Sequence, residues 1–298
     1  MQISTSLFYD NAASRLSKMS ERASVLQTQI ATGKKIQKTS DDPNAAAQLA
    51  ELDRKDADAE VYGSNLTLAD SLLTQADSVL GQIDKQLDRA TQLVTQAGNG
   101  TQTDATRKIL GNEISSIIDA IVGLANTNNV RGQPLFGTPD GTKAVTRNND
   151  GTFTYAVTNV SEVPIADGQT IQATESASRV FKMDGGKDTL AILSQLSQAL
   201  IAGGDVSATV SAGLDDLKEA GDQLANVQAS IGARGARVDL QQQLLTTAKT
   251  DRADLRSKLE QVDITEAVVQ LQQMMTALSA TQASFSKLSS LSLFDYIK

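Results

Sequence analysis

Apolar residues recur at alternating spacings of three and four along most of the chain, which places them on one narrow stripe of an α-helix. The first stripe consists of Tyr9, Ala12, Leu16, Met19, Ala23, Leu26 and Ile30. Polar residues fill most of the positions between them. Because a helix of this length is only marginally stable alone in water, we expect this stripe to pack against another helix.

A second and longer stripe begins after residue 43 and keeps its phase to residue 94. It consists of Ala45, Leu49, Leu52, Asp56, Ala59, Gly63, Leu66, Ala69, Leu73, Ala76, Leu80, Ile83, Leu87, Ala90 and Val94. Only Asp56 and Gly63 interrupt its apolar character. Because the phase continues through Gly63, the pattern predicts one helix that ends before Gly98. A shorter helix would follow, with Asp104 as its expected N-cap, and complete a helical hairpin.

A third stripe repeats every seven residues in the C-terminal half of the chain. It consists of Val210, Leu217, Leu224, Ile231, Val238, Leu245 and Leu259. Arg252 stands where the series requires another apolar residue. This stripe predicts a helix that matches the one after residue 43 in length, and we therefore expect the two helices to pack against each other.

The last stripe begins near Asp263 and runs to the end of the chain. It consists of Val268, Leu271, Met275, Leu278, Gln282 and Phe285, and an apolar end that includes Leu291 and Phe294 follows it. Both ends of the chain thus carry apolar residues that no neighbouring sequence covers. Two arrangements remain open: the terminal helices pair only with each other in a monomer, or they also pack against other subunits of an assembly.

Residues 32–43 separate the first two helices. Gly33 stands where a left-handed C-cap residue belongs, and Asp42 with Pro43 forms an N-cap followed by proline at the first helical position. These three residues and Asp41 are predicted to form a hinge. An ordinary connection between two helices is the plainer interpretation of this stretch taken alone.

The pattern changes between residues 131 and 186. Asn and Gly become frequent, the helical spacing disappears, and short β-type runs lie between the turn signals Asp150-Gly151 and Asp167-Gly168. A small β-rich insert is therefore predicted. Its isolated carboxylates, which include Asp140, Asp150 and Asp167, are expected to cap their own turns rather than to bind a metal or act as acid and base.

Composition excludes several classes of function. The 298 residues are 40% hydrophobic but only 3% aromatic, which favours long packed helices over an aromatic pocket. A net charge of −8 argues against binding to nucleic acid. The absence of Cys and His excludes thiol chemistry, Cys/His zinc sites and Ser-His-Asp hydrolysis. No apolar run approaches the length of a membrane span. We therefore expect no enzyme activity, cofactor, metal or membrane insertion.

The sequence predicts a mainly α protein: a long antiparallel coiled-coil helical bundle with helical termini and a small β-rich insert. Its expected parts are residues 1–43 as the N-terminal helix and hinge, 44–130 with 187–262 as a discontinuous coiled-coil domain, 131–186 as the insert, and 263–298 as the C-terminal helix. The candidate subunit-interface residues are Leu16, Met19, Ala23, Leu26, Ile30, Val268, Leu271, Met275, Leu278, Phe285, Leu291 and Phe294.

Short motifs within this layout resemble the flagellin family. They are Ile30, Gly33, Lys34, Ile36, Asp41, Asp42 and Pro43 at the front, Asn99-Gly100-Thr101 after the long helix, and Ile231-Gly232-Ala233-Arg234 near the back. The resemblance extends over nearly the whole chain and implies that the terminal helices form an inner tube with the coiled coil outside it. The two ends of the chain, the run from Gly132 to Thr138 and the short insert resemble family members at the junction of hook and filament more than filament subunits.

The resemblance implies a structural component of the extracellular flagellum that forms the junction layer between hook and filament and enables filament assembly. Its implied partners are further copies of itself in a ring or helical layer, the hook-side hook-associated protein, and flagellin on the filament side. It also implies secretion through the flagellar type III export apparatus, with a cytoplasmic export chaperone on about residues 263–298, whose apolar stripe suits a helix-in-groove contact. The N-terminus by itself, which lacks a secretory signal pattern, would predict a cytoplasmic protein.

Three other interpretations compete with the junction role. The filament subunit is the nearest, because it shares the same family layout. A non-flagellar coiled-coil scaffold in the cytoplasm would explain the repeats but not the hinge and the termini. A secreted acidic hydrolase would need a pair of carboxylates in a cleft, and no spacing in the sequence singles out such a pair.

Overall fold

The computed structural model describes residues 2–129, 132–137, 143–148, 150–156 and 162–296, and the side chains of residues 2–6, 8 and 288–296 lie outside this description. The elements are α1 (Gln2–Thr32), α2 (Pro43–Ala97), α3 (Asp104–Ala125), β1 (Val145–Arg147), β2 (Phe153–Tyr155), β3 (Glu162–Ala166), β4 (Gln169–Gln172), α4 (Ala177–Phe181), α5 (Thr189–Ala202), α6 (Ser207–Glu260) and α7 (Ile264–Tyr296). Long helices dominate, and the strands lie together in the middle of the sequence. The predicted mainly α fold with a small β-rich insert is confirmed.

Most helix ends lie where local chemistry predicts them. Helix α2 continues through Gly63 and ends before Gly98, as predicted. The N-cap of α3 was predicted wrongly, because Thr103 is the cap and Asp104 is the first helical residue. The Thr103 hydroxyl accepts a hydrogen bond from the backbone N–H of Thr106. Thr and Asp are both good N-cap residues, so their order along the sequence does not decide which one caps.

The chain divides into two compact units, Met1–Ala57 with Thr247–Lys298, and Asp58–Thr246. We call them the end unit and the central unit. Helices α2 and α6 contribute to both. The four-part domain division expected from the sequence, with boundaries near residues 43, 130, 186 and 262, remains a prediction.

Within the central unit, α2 and α6 run antiparallel and in contact. A Cβ atom on Gly63 would lie 3.6 Å from the Leu245 side chain, and one on Gly98 would lie 2.9 Å from that of Val210. Residue numbers therefore increase along α2 while those of the facing residues decrease along α6. The predicted packing of the two long helices is confirmed, and Gly63, which interrupts the stripe of α2, makes room for a leucine of α6.

Helices α3 and α5 approach each other closely at Gly111. The Ser197 hydroxyl donates a hydrogen bond of 2.8 Å to the Gly111 carbonyl, and both groups are buried. A Cβ atom on Gly111 would lie 2.9 Å from the Ser197 carbonyl oxygen. The absence of a side chain at this position is therefore what lets the two backbones meet.

The core of the central unit is mostly aliphatic. Its largest fully buried side chains are Phe136, Phe181, Leu66, Leu80, Ile83, Leu93, Ile114, Ile118, Ile121, Leu135, Ile165 and Leu190. They come from α2, α3, α5, β3, α4 and the segment that follows α3, and they belong to one continuous cluster. The helices and the insert thus share a single core.

In its described residues the insert contains two antiparallel strand pairs, β1 with β2 and β3 with β4. The ring of Tyr155 stacks on that of Phe181 with 6.0 Å between ring centroids, and its hydroxyl donates a 2.8 Å hydrogen bond to Asp188. Burial and the Asp188 carboxylate raise the pKa of Tyr155 far above its ordinary value. Asp188 also accepts from the backbone N–H of Leu190 at the start of α5, so one carboxylate joins the insert to a helix of the core.

Of the three carboxylates that the sequence predicts to cap their own turns, Asp150 does so. Asp150 accepts hydrogen bonds from the backbone N–H and the hydroxyl of Thr152, at 2.9 and 2.6 Å. These bonds hold the pKa of Asp150 below its usual range. Asp167 precedes Gly168, whose φ of 63° shapes the turn between β3 and β4. Asp140 lies outside the described residues.

Candidate assembly surface and linker

The terminal helices α1 and α7 pack along each other in opposite directions within the end unit. The rings of Tyr9 and Phe285 meet edge to face with 5.5 Å between their centroids. Toward the other end of the pair, the backbone N–H of Val262 donates a 3.1 Å hydrogen bond to the carbonyl of Gly33. The two ends of the chain therefore do pair with each other, which both arrangements considered from the sequence require.

The predicted stripe on α1 is the side of this helix that is shielded from solvent. Ala23 and Leu26 are buried, with 5% and 7% of their surface exposed. Leu16, Met19 and Ile30 are half-buried. The spacing of apolar residues thus identified the packed side of α1 correctly.

On α7 the shielded side differs from the predicted stripe. Leu271, Leu278 and Phe285 are half-buried as expected. Val268 and Met275, in contrast, are 37% and 50% exposed. The residues that α7 shields from solvent are Ala267, Leu271, Met274, Leu278, Thr281 and Phe285.

The predicted stripe and the shielded side of α7 share Leu271, Leu278 and Phe285, which are spaced seven residues apart. They differ in the residues between, because apolar residues lie on both sides of this shared row. Helix α7 offers Ala267 beside Val268, and Met274 beside Met275. The spacing alone fits either choice. Packing in the end unit shields the flank with Ala267 and Met274, and this choice leaves the two other side chains in solvent.

The exposed flank of α7 is the surface formed by Ile264, Val268 and Met275. Their exposed fractions are 53%, 37% and 50%. They lie on one side of the helix because their positions differ by four and seven residues. The assignment of the terminal-helix residues to a subunit interface remains a prediction, and the side chains of Leu291 and Phe294, which lie on α7, are outside the described part of the structure.

The linker between α1 and α2 has the caps that the sequence predicts. Gly33 has a φ of +70°, and its N–H donates a 2.8 Å hydrogen bond to the carbonyl of Gln29 at the end of α1. The Asp42 carboxylate accepts a 3.0 Å bond from the N–H of Ala45, and Pro43 is the first residue of α2. Each cap satisfies backbone groups that a helix end leaves without partners.

Asp41 orders the middle of the linker. Its carboxylate accepts hydrogen bonds from the backbone N–H groups of Lys38, at 2.8 Å, and Gln37, at 2.9 Å. These two bonds hold the pKa of Asp41 below its usual range. The linker is thus a structured turn, although its role as a hinge remains a prediction.

The linker also pairs with the connection between α6 and α7, which sequence reasoning missed. Lys34 and Gln261 form an isolated antiparallel β-bridge. The N–H of Lys35 donates a 2.6 Å bond to the carbonyl of Glu260. The Lys34 ammonium lies 2.9 Å from the Glu260 carboxylate. No local sequence pattern predicts a bridge between positions so distant in the chain.

A cavity of about 360 Å³ lies beside this bridge. It is lined by Leu26, Gln29, Lys35, Gln261, Val262, Asp263, Glu266, Ala267 and Gln270. Its lining is mostly polar and has no nucleophile paired with a base. In the part of the chain that the structure describes, no three acidic side chains are grouped closely enough to hold a metal ion, and no helix is long and apolar enough to cross a membrane.

The two charged residues that interrupt the long stripes are in contact with each other. Nε of Arg252 lies 2.7 Å from Oδ1 of Asp56. Each is the one charged member of an otherwise apolar series, and their charges are opposite. Those two features together could have indicated the contact from the sequence.

The motif near the back of the chain holds the insert on α6. Arg234 donates to the Glu175 carboxylate at 2.6 Å and to the carbonyls of Gln172 and Thr174 at 3.0 and 3.2 Å. The Glu175 side chain is only 2% exposed. Arg234 is thus a structural clamp between the end of β4 and the long helix.

Comparison with known proteins agrees with this architecture. Residues 3–139 match the family model of the bacterial flagellin N-terminal helical region. The chain is 25% identical to flagellar hook-associated protein 3 of Salmonella typhimurium over an alignment of 320 positions, gaps included, which covers 99% of each chain. It is also 25% identical to a flagellin of Listeria innocua over 303 residues, which cover 97% of this chain and 95% of the flagellin.

A solved structure shows the same fold. Flagellar hook-associated protein 3 of Legionella pneumophila superposes with a TM-score of 0.65 at 13% identity, and the match covers 71% of this chain and 98% of that one. These relatives are named as flagellar proteins and none of them as an enzyme. Residues 3–139 therefore carry the helical region that begins bacterial flagellins, and the chain as a whole resembles the flagellin family.

Proposed function

We propose that this protein is a structural subunit of the bacterial flagellum that forms the junction layer between hook and filament and enables the filament to assemble. The observation that carries the proposal is the similarity to flagellar hook-associated protein 3, which extends over 99% of both chains. The protein has no catalytic role in this proposal. Its work is to present one surface to the hook side and another to the filament side.

The end unit supplies the surface for assembly. Its helices α1 and α7 shield one stripe between them and leave the exposed flank of α7, with Ile264, Val268 and Met275, in solvent. Exposed apolar side chains grouped on one helix face are typical of a surface that another chain covers. We propose that copies of this chain cover it in a ring or helical layer, with α1 and α7 on the inside.

The proposal includes further partners and a location outside the cell. The hook-side hook-associated protein and flagellin would contact the two sides of the layer. The chain would leave the cytoplasm through the flagellar type III export apparatus, and a cytoplasmic chaperone would hold about residues 263–298 until export. The exposed flank of α7 lies within that segment and suits a helix-in-groove contact.

The filament subunit is the second candidate, because the similarity to the Listeria flagellin also covers most of both chains. The two roles differ in copy number, since a junction layer is thin and a filament is long. They also differ in what happens when the protein is missing. Both roles would use the same assembly surface.

The first experiment is a deletion strain examined by electron microscopy and by immunoblot of the culture medium. The junction role predicts hooks without filaments, with flagellin released into the medium. Hooks without filaments and without released flagellin, in a strain that has no other flagellin, would favour the filament subunit. Normal hooks and filaments would refute both roles.

Point variants in the same strain test the assembly surface. Met275→Glu places a charge on the exposed flank of α7, and we expect the purified protein to keep its helical circular dichroism while the strain fails to grow filaments. Gln273→Glu is the matched control, because this residue of α7 is also exposed and the added charge is the same. Normal filaments with Met275→Glu would contradict the interface assignment.

A further inference from the structure

Two linkers lie in the end unit: the one between α1 and α2, and the connection between α6 and α7. Six charged side chains near them form one connected network, which we call the linker network. They are Lys34, Asp53, Asp56, Arg252, Arg256 and Glu260. All six belong to the end unit. Three are acidic and three are basic, so the network is electrically balanced while the carboxylates are ionised.

The network begins where the stripes of α2 and α6 are interrupted. Asp56 contacts Arg252 at 2.7 Å and Arg256 at 3.1 Å, and Arg256 also contacts Asp53 at 2.6 Å. The Arg252 side chain is 15% exposed, and its Nη2 atom is buried with no acceptor among the described residues. The Asp56 side chain is 37% exposed, so the pair is buried at its arginine end only. An apolar pair at positions 56 and 252 would continue both stripes without leaving a buried Nη2 atom unpaired. Simple packing therefore gives no reason for charge here.

The network then leads into both linkers. Arg256 reaches Glu260 at 3.6 Å, and Glu260 reaches Lys34 at 2.9 Å. Lys34 belongs to the connection between α1 and α2, whereas Glu260 ends α6 just before the connection to α7. The Glu260 side chain is 18% exposed, so it is held in place from both sides rather than free in solvent.

Two backbone hydrogen bonds lie directly on this path and join the connections. The N–H of Lys35 donates to the carbonyl of Glu260, and the N–H of Val262 donates to the carbonyl of Gly33. Together with the bridge between Lys34 and Gln261, they form a two-stranded contact only a few residues long. A contact of this length is weak by itself, since isolated strand pairs are marginal in water.

We propose that the linker network is a latch that closes both connections against each other, so that the loss of one carboxylate in the helices opens both linkers together. In the closed state the two connections act as one joint at the end of α6. In the open state each connection is independent. The inference concerns the folded chain alone and does not depend on the proposed function.

The charges that face each carboxylate determine how the latch responds to acid. Arg252 and Arg256 face Asp56 from α6, with Asp53 beside it on α2, and Lys34 faces Glu260 from the linker. The hydrogen bond from Arg252, followed by that from Arg256, holds the pKa of Asp56 below its usual range. Such a group adds stability at pH values above its unfolded pKa of about 3.9, and that stability is lost as pH falls through the folded pKa. Protonation of the carboxylates would leave three neighbouring positive charges.

The amides of Lys35 and Val262 provide the test, because each closes one of the two backbone hydrogen bonds. Hydrogen exchange of the full chain at neutral pH should show Glu260→Gln speeding exchange at both amides by about tenfold or more, since it removes the direct charge partner. Asp56→Asn, which touches neither linker, should speed exchange at both amides by a common factor of several-fold. Amides in the core of the central unit should not change.

Asp119→Asn is the matched control. Asp119 forms a 2.7 Å ion pair with Arg147 in the central unit, and its side chain is 66% exposed. This variant should leave both linker amides unchanged. An equal effect of Asp119→Asn, no effect of Asp56→Asn, or an effect at only one linker would overturn the proposal.

Acidification of the unmodified protein tests the latch without any variant, in case one of them does not fold. Exchange at Lys35 and Val262, corrected for the intrinsic pH dependence of exchange, should accelerate together below about pH 4. The double variant Asp56→Leu with Arg252→Leu should reduce that acceleration, because it removes the titrating carboxylate while it continues the stripe. An acid response that is identical in the double variant and the parent chain would refute the role of Asp56.

Discussion

The central unit and the end unit are built from the same kinds of helix but bury very different amounts of apolar surface. The central unit contains one continuous cluster that joins long helices, short helices and the insert. Among the described residues of the end unit, the buried apolar side chains are Ala23, Leu26, Ala45, Leu52 and Ala267, and three of these five are alanines. The central unit has a complete core, whereas the end unit is held by narrow stripes, caps and ion pairs.

This difference indicates that the central unit is stabilised by its own core, whereas the end unit would gain stability from contact with another chain. Burying one leucine fully contributes about 1.5–3 kcal/mol, whereas alanine contributes much less, so the end unit gains little from its own interior. Exposed apolar residues such as Met275 lie on the same unit. A weakly stabilised unit with an apolar surface is the region in which assembly with another chain would add most.

The largest effect should come from truncating the central core. Leu193 on α5 is completely buried, and Leu193→Ala should lower the free energy of unfolding by about 2–5 kcal/mol because it leaves a cavity. Leu16→Ala on α1 removes a half-buried side chain and should cost only about 1 kcal/mol. Urea unfolding followed by circular dichroism gives both values, and hydrogen exchange shows which unit loses protection. Equal losses would mean that the end unit has a core as complete as that of the central unit.

An intermediate effect is expected at the contact of α3 with α5. Gly111→Ala should destabilise the protein by about 1–3 kcal/mol, since the added Cβ would crowd the Ser197 carbonyl. Gly123→Ala on the same helix is the control, because among the described residues no atom beyond its own stretch of helix backbone lies within 4 Å of the added Cβ. It should stabilise the protein by up to about 1 kcal/mol through helix propensity. Thermal unfolding of the two variants should therefore shift in opposite directions, and a gain for both would show that the helices adjust easily.

The smallest effect is expected at the cap of α2 in the end unit. Asp42→Ala removes the acceptor for the N–H of Ala45 and should cost about 1 kcal/mol. Asp42→Asn keeps an acceptor of the same reach and should be nearly neutral. Hydrogen exchange over the first turn of α2 measures both. If the two variants behave alike, the side chain contributes through its charge and not through the cap.

Much of the fold could be predicted because its signals are local. Gly33, Asp42 and Pro43 cap helix ends through groups only a few residues away, and the structure has all three in those roles. The stripe of α1 and the continuity of α2 through Gly63 follow from periodicity within one helix. The candidate site was predicted less completely, since Val268 and Met275 lie on the flank of α7 that packing leaves exposed.

The sequence by itself determined the long helices, most of their ends and the residues available to pack, whereas it missed the short helix α4 inside the insert and the Thr103 cap of α3. Those properties depend on caps, turns and spacing, which act over a few residues. Only the tertiary structure decided which flank of α7 is shielded, that Asp56 meets Arg252, and that the two connections pair beside Glu260. The reason is physical: each of these choices joins residues far apart in the chain, and several partners satisfy the local pattern equally well until packing selects one of them.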